Sequence, residues 1–355
     1  MHFVFVESFD IKSWNGETAR KERGVSGSHS SPMYLAEGLS LQGNHIDFIS
    51  INNNFIETNY LGVNYINYNN YNNCQCDFII ISNNLIDLTI LDKIKNYNKI
   101  IIILHNDLCF LNNRFFDINK DKILLSYINN FGKINIENVQ PFLKDYTSFI
   151  LPNSIDTNDL LSIENQNKEN SFVFFACIER GFRMSCEVVN RIPNFNIYSS
   201  TYYEPFQHLM DNNKSLNNSS KSEVFRHLVK SKYFVYPLIN LDNNCIHYDT
   251  FGYVVLEALL HGVIVIAPKI KVYEELYGDA ICYIETGGII PEDDLSYWKK
   301  HNHNFGYPLL DKYVQKVLEL ENDYNLRMSY IEKGLKLKEK FCNKKVSLNL
   351  LFNLV

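Results

Sequence analysis

The chain has 355 residues, of which 46% are hydrophobic, 14% aromatic and 21% charged, and its net charge is −6. That length fits two domains, each able to bury a core of its own, and the composition is that of a folded chain. A negative balance offers no basic stripe to nucleic acid, and no run approaches the ~20 apolar residues of a membrane span. The eight cysteines are scattered. Cys74 and Cys76 form a C-x-C pair with no second pair at zinc-finger spacing, so reduced thiols in a cytoplasmic protein are expected. His2–Glu7 lacks the basic flank and length of a signal-peptide core and reads as a first strand.

A polar stretch with Gly16, Gly24 and Gly27 follows, then a helix over Ser30–Leu41, apolar at Met33, Leu35, Ala36 and Leu39 and ended by Gly43. Ile46–Ile49 predicts a short strand. Phe78–Ser82 and Ile100–Leu104 are continuous apolar runs, as in parallel strands covered on both faces, and Leu85–Tyr97 between them has helical spacing. The pattern then restarts. Strands are expected at Phe172–Ala176, Asn196–Ser199, Tyr233–Pro237, Val263–Ala267 and Ala280–Ile284, with helices at Arg183–Val189, Lys221–Lys230 and Tyr253–Leu260. Arg327–Leu351 is helical in pattern. The 46 asparagines cluster at Asn52-Asn53-Asn54 and around Tyr71, where loops are expected. The fold class is therefore α/β, in two halves joined near Asp156–Glu169.

Three segments carry candidate chemistry. Gly24-Val25-Ser26-Gly27-Ser28-His29 leads into a helix, where close backbone approach and free N–H groups suit a phosphate; a plain turn before a helix fits equally well. His105 stands at a predicted strand end, the edge that faces ligands in open α/β sheets, although a hydrogen-bonded structural histidine is the alternative. The third is Asp249-Thr250-Phe251-Gly252, followed on the next helix by Glu257 and, beyond it, His261-Gly262. Two carboxylates separated by seven residues are also compatible with a helix bearing an acid near its N-terminus and a surface glutamate.

This last segment resembles the acid-x7-acid motif of family 4 (group 1) glycosyltransferases, E-x-F-G-x-x-x-x-E-A-x-x-x-G-x-P-V, through Phe251, Gly252, Glu257, Ala258 and Gly262. Asp249 replaces the usual Glu, and Ile264 the usual Pro. Three further segments are similar in order and spacing. Leu151-Pro152-Asn153-Ser154-Ile155-Asp156 resembles a P-N-G-I-D turn, Phe174–Phe182 a Y-A-S-x-x-R-G-L segment, and Tyr233–Pro237 the strand before the donor loop. The resemblance implies the GT-B architecture, two Rossmann-like domains over 1–156 and 157–335 facing a central cleft with a terminal helix over 336–355 returning to the first domain, and retaining transfer of a sugar from a UDP- or GDP-linked donor to a glycan or other hydroxyl acceptor. No metal and no cofactor beyond the donor are implied. By the same resemblance Arg180, assisted by Arg183, grips the diphosphate; Glu257 binds the ribose hydroxyls; Asp249 faces the transferred sugar. Thr250, Phe251 and Gly252 supply backbone N–H groups, Gly27 and Ser28 reach the diphosphate, and His105 lies near the donor sugar. A sugar-nucleotide-binding protein without turnover, or an epimerase on the same fold, are the alternatives.

Overall fold

Four to six consecutive apolar residues bury both faces of a strand, and in the computed structural model such runs pair as parallel strands. The structure describes residues 1–7, 14–22, 27–50, 57–82, 85–86, 88–105, 110–111, 115–162, 168–200, 213–216, 219–241, 245–290, 298–300 and 306–354. Gly24, Val25, Ser26, the Asn52–Asn54 cluster and the residues just after His105 lie outside them. Contacts divide the chain into one unit of Met1–Lys21, Val25–Thr157 and Glu339–Val355 and another of Glu22–Gly24 and Asn158–Lys338.

The first unit is built on eight strands: β1 (His2–Glu7), β2 (His45–Ser50), β3 (Thr58–Tyr60), β4 (Val63–Asn67), β5 (Phe78–Ile81), β7 (Lys99–Leu104), β9 (Ile123–Tyr127) and β10 (Thr147–Ile150). Their order is β10-β9-β7-β5-β1-β2-β4-β3, and only the β3–β4 pairing is antiparallel. β6 (Leu85–Ile86) and β8 (Phe110–Leu111) form a separate short pair. Side chains of alternate residues, Val4, Val6, Ile79, Ile81, Ile100 and Ile102 among them, share one buried cluster with Leu88, Ile90 and Phe115. Preceded by α1 (Gly16–Lys21), α2 (Gly27–Ser40) buries Met33, Tyr34, Leu35, Ala36 and Leu39. α3 (Asn130–Val139) starts at Asn129, whose side chain accepts from Gly132 N.

The helix expected over Leu85–Tyr97 does not form. Among its described residues stand β6 and a single 3-10 turn at Thr89–Asp92. Tertiary partners take backbone groups a helix would need, since Lys95 N and Asn96 N both donate to Cys74 O, and the Lys93 ammonium ties the segment to the carbonyls of Tyr68, Asn69 and Tyr71. Leu88, Ile90 and Ile94 still reach the core, so apolar spacing is preserved without the helix.

In the second unit, β11 (Glu169–Phe174), β12 (Asn196–Ser199), β13 (Asn213–Ser215), β14 (Ser231–Val235), β17 (Ile264–Pro268) and β18 (Cys282–Ile284) form an all-parallel sheet in the order β13-β12-β11-β14-β17-β18. A small antiparallel sheet joins β15 (Ile239–Asn240), β16 (Cys245–His247) and β19 (Trp298–Lys300). Helices α4 (Phe182–Asn190), α5 (Lys221–Lys230), α6 (Tyr253–Leu260), α7 (Lys271–Tyr277), α8 (Gly306–Asn322) and α9 (Tyr324–Phe341) complete the order, and α10 (Asn343–Leu354) follows in the first unit. The expected tail helix is thus two helices, broken at Cys342, where Ile155 pairs with the chain in a parallel bridge.

Candidate active site

The polar side chains of the second unit gather where its parallel strands end. Arg180 closes a short 3-10 turn after β11, and Gly181 follows in a left-handed conformation, φ 113°. A Cβ on Gly181 would lie 2.3 Å from Cγ of Pro237, so the backbone passes there only without a side chain. Leu238, itself at φ 57°, donates its N–H to Arg180 O at 3.0 Å. Positive φ on a leucine is strain that the surrounding contacts must hold in place, a feature that gathers at functional sites.

Arg180 Nη1 lies 2.6 Å from Asp249 Oδ1 and donates to the Tyr236 hydroxyl at 2.9 Å. Tyr236 in turn donates to Asp249 Oδ2 at 3.0 Å, and Tyr273 on α7 donates to the same oxygen at 3.1 Å. Asp249 is 6% exposed, so the carboxylate is desolvated, and Arg180, Tyr236 and Tyr273 offset the lost water. Burial works against the Arg180 charge, yet Asp249 and Tyr236 outweigh it and hold the guanidinium well above its usual range. Burial holds Tyr236, Tyr273 and Tyr277 protonated, far above an ordinary phenol.

The loop after Asp249 turns into α6 through Gly252, φ 76°, where a Cβ would stand 3.1 Å from Asp249 Oδ2. Tyr277 donates to the carbonyls of Phe251 and Gly252 at 2.5 and 3.3 Å and so fixes that turn. Phe251 is buried and Thr250 half-buried. The first-turn N–H groups of α6 therefore start beside the Arg180–Asp249 pair.

Glu257 sits on α6, away from that pair. Its Oε1 lies 2.8 Å from Nζ of Lys221, the first residue of α5, and Lys221 is only 8% exposed. Ser220 caps α5 by accepting from Glu223 N, which fixes where Lys221 starts. His261 Nδ1 meets the Glu257 carbonyl at 2.7 Å, and burial pulls the ring down to about 4. Arg183 is exposed on α4.

A second polar group lies at the C-terminal ends of the first unit's strands. His105 follows β7, and its Nε2 is 2.9 Å from Ser82 Oγ after β5. Burial, reinforced by neighbouring His29, lowers His105 to about 4, so the imidazole is neutral at pH 7. His29, on α2, places Nε2 3.8 Å from Oε1 of Glu7, the buried last residue of β1. Gly27 opens α2. The Ser28 side chain lies outside the described residues.

The structure thus joins Arg180 to Asp249, sets Glu257 apart with its own cation, and leaves Arg183 at the surface. Residues that sequence reasoning did not single out are Tyr236, Tyr273, Lys221, Glu7, Ser82 and His29 as a side chain. Tyr236 and Glu7 had a visible signal, a polar tip at the end of an apolar strand; the others are placed by tertiary packing.

In fold the two α/β units match solved structures of the GT-B architecture. The chain is similar to sucrose-phosphate synthase from Thermosynechococcus elongatus, with a TM-score of 0.60 at 10% identity, covering 99% of this chain and 98% of that one. It is similar to a glycosyltransferase from Rickettsia africae (TM-score 0.60, 11% identity, 99% and 97% covered) and to the catalytic domain of starch synthase IV from Arabidopsis thaliana bound to ADP and acarbose (TM-score 0.59, 11% identity, 98% and 97% covered). No protein-family model and no curated protein matches the sequence.

Proposed function

We propose that the protein is a retaining, metal-independent glycosyltransferase that uses a nucleotide-diphosphate sugar as donor and a hydroxyl group as acceptor. The observation that carries this reading is the Arg180–Asp249 pair, 2.6 Å apart, beside the N-terminus of α6. A departing nucleoside diphosphate needs fixed positive charge and preorganised N–H donors where its negative charge grows. Arg180 supplies the charge. Asp249 and Tyr236 both engage Nη1, and the guanidinium's other donors would grip phosphate oxygens. The backbone N–H groups of Thr250, Phe251 and Gly252 would serve the sugar or the phosphate.

Asp249 has a double task in this reading. It orients Arg180 through Oδ1, and its remaining acceptor sites would take a hydroxyl of the transferred sugar. Glu257 would accept from the ribose hydroxyls, with Lys221 holding its carboxylate in place. The leaving phosphate takes the acceptor's proton, so no general base is assigned. His105, Gly27 and Ser28 would contribute on the first unit, His105 as a neutral hydrogen-bonding group.

The test is incubation of the purified chain with UDP- and GDP-sugars and a panel of hydroxyl acceptors, following nucleotide release and the anomeric form of the product. Release with the donor's anomeric configuration kept, at an initial rate unchanged by EDTA, is expected. An inverted product would remove the retaining assignment, and a rate abolished by EDTA and restored by manganese would remove metal independence.

A further inference from the structure

β1 and β2 run parallel with His2 opposite His45 and Val4 opposite Asp47. Side chains alternate faces along a strand, so His2, His45 and Asp47 share one face at the strands' N-terminal ends. Glu7 lies five residues further along β1, roughly 17 Å away at the strand rise, so the trio is separate from the polar group around His105.

We propose that His2, His45 and Asp47 form a three-ligand site for a divalent transition-metal ion of the zinc class. Their ligand atoms all lie within 4.8 Å of one another. His2 Nε2 is 2.8 Å from Asp47 Oδ2, and His45 Nε2 is 3.2 Å from Asp47 Oδ1. Metal–ligand bonds of about 2.0–2.1 Å in a tetrahedron place ligand atoms about 3.3 Å apart, so the three ligand atoms, now within 4.8 Å of one another, meet an ion through side-chain shifts on the order of 1 Å. Two imidazoles and one carboxylate favour zinc, cobalt or nickel over magnesium or calcium, which prefer all-oxygen sets.

The surroundings are those of a supported site. Asn64 Nδ2 donates to Asp47 Oδ1 at 3.0 Å and fixes the carboxylate, as outer partners of metal ligands do. Asp77 Oδ2 accepts from the His2 backbone N–H at 2.7 Å and fixes the start of β1. Ligation takes both histidines as neutral imidazoles with the Nε2 lone pair on the ion.

The site would tie the first two strands together; it takes no part in the proposed transfer. The test uses the full chain without a histidine tag, stripped with chelator and titrated with zinc by calorimetry at neutral pH. Wild type should bind one equivalent and gain a few degrees in Tm at saturation, and magnesium should do neither. His45→Ala is the chosen variant, because His45 is 57% exposed at its side chain and its loss leaves the core intact. It should bind at least on the order of 100-fold more weakly, since even outer-partner losses cost 10–100-fold, and its Tm should ignore zinc. Asp47→Asn should behave alike. A wild-type chain that binds no stoichiometric zinc, or both variants binding as wild type does, overturns the proposal.

Discussion

In the proposed transfer a guanidinium that meets a diphosphate has to be aimed before the ligand arrives, and Asp249 with Tyr236 holds Arg180 through a single nitrogen. Arg180→Ala should lower turnover on the order of 10²-fold, as for loss of one preorganised donor. Arg180→Lys should recover part, because a point charge cannot copy a planar fork. From sequence alone, folding should hardly notice this change. The pairing with buried Asp249 alters that expectation. Removing Arg180 strands a carboxylate, at a cost of roughly 1–3 kcal/mol after allowance for the exposure of the arginine. Near-normal turnover with a lowered Tm would make the pair purely structural. His105 offers a pH readout. Its folded value, about 4, lies below the unfolded value near 6.5, so its stability contribution is complete above pH 6.5 and is lost as pH falls towards 4. At pH 5 the loss is about 2 kcal/mol. Urea midpoints at pH 7.5 and 5 should therefore converge for His105→Gln relative to wild type; an equal pH dependence in both would show that burial does not hold this histidine neutral.

At the scale of elements, the Lys221–Glu257 contact joins the first residue of α5 to the middle of α6. Glu257→Ala removes a charged acceptor, and calorimetry should find free nucleotide bound more weakly by about 1.5–3 kcal/mol. Unchanged affinity would separate Glu257 from the ribose. Both helices were legible with their observed ends, Lys221–Lys230 and Tyr253–Leu260, because a serine cap starts one and a glycine starts the other. The long apolar strands were legible for the same local reason. β10 was not, since Thr147–Ile150 is partly exposed and half polar. The acid-x7-acid spacing located Asp249 and Glu257 but could not say that they part company, one to Arg180 and one to Lys221. Those partners lie 69 and 36 positions away in sequence (249 − 180 and 257 − 221), and only the closing of the sheet brings them together. The His2–Asp47 contact was hidden likewise, because it depends on the register of β1 against β2.

At the scale of the whole molecule, the chain builds its first unit, then its second, and returns to finish the first. Ile155 N donates to Phe341 O and Asn343 N to Ile155 O, each at 2.9 Å, and Phe341, Val346 and Leu350 are buried in the first unit. α10 lies against α2 at Gly38, where a Cβ would fall 2.6 Å from Asn343 O and 2.9 Å from its carbonyl carbon. Those atoms are backbone and cannot swing aside. Here two effects of Gly38→Ala oppose each other. Alanine raises helix propensity by about 1 kcal/mol in a helix interior. The added methyl must push α10 off its seat, and overpacking of this kind costs typically 1–3 kcal/mol. The clash is with a main-chain carbonyl, so the second effect should win and Tm should fall. Deleting Glu339–Val355 removes three buried side chains worth roughly 1.5–3 kcal/mol each, comparable with the whole stability of a typical domain, and should unfold the first unit outright. Melting curves of the Gly38→Ala protein decide the point by sign: a raised Tm would mean that α10 does not bear on α2 at this glycine.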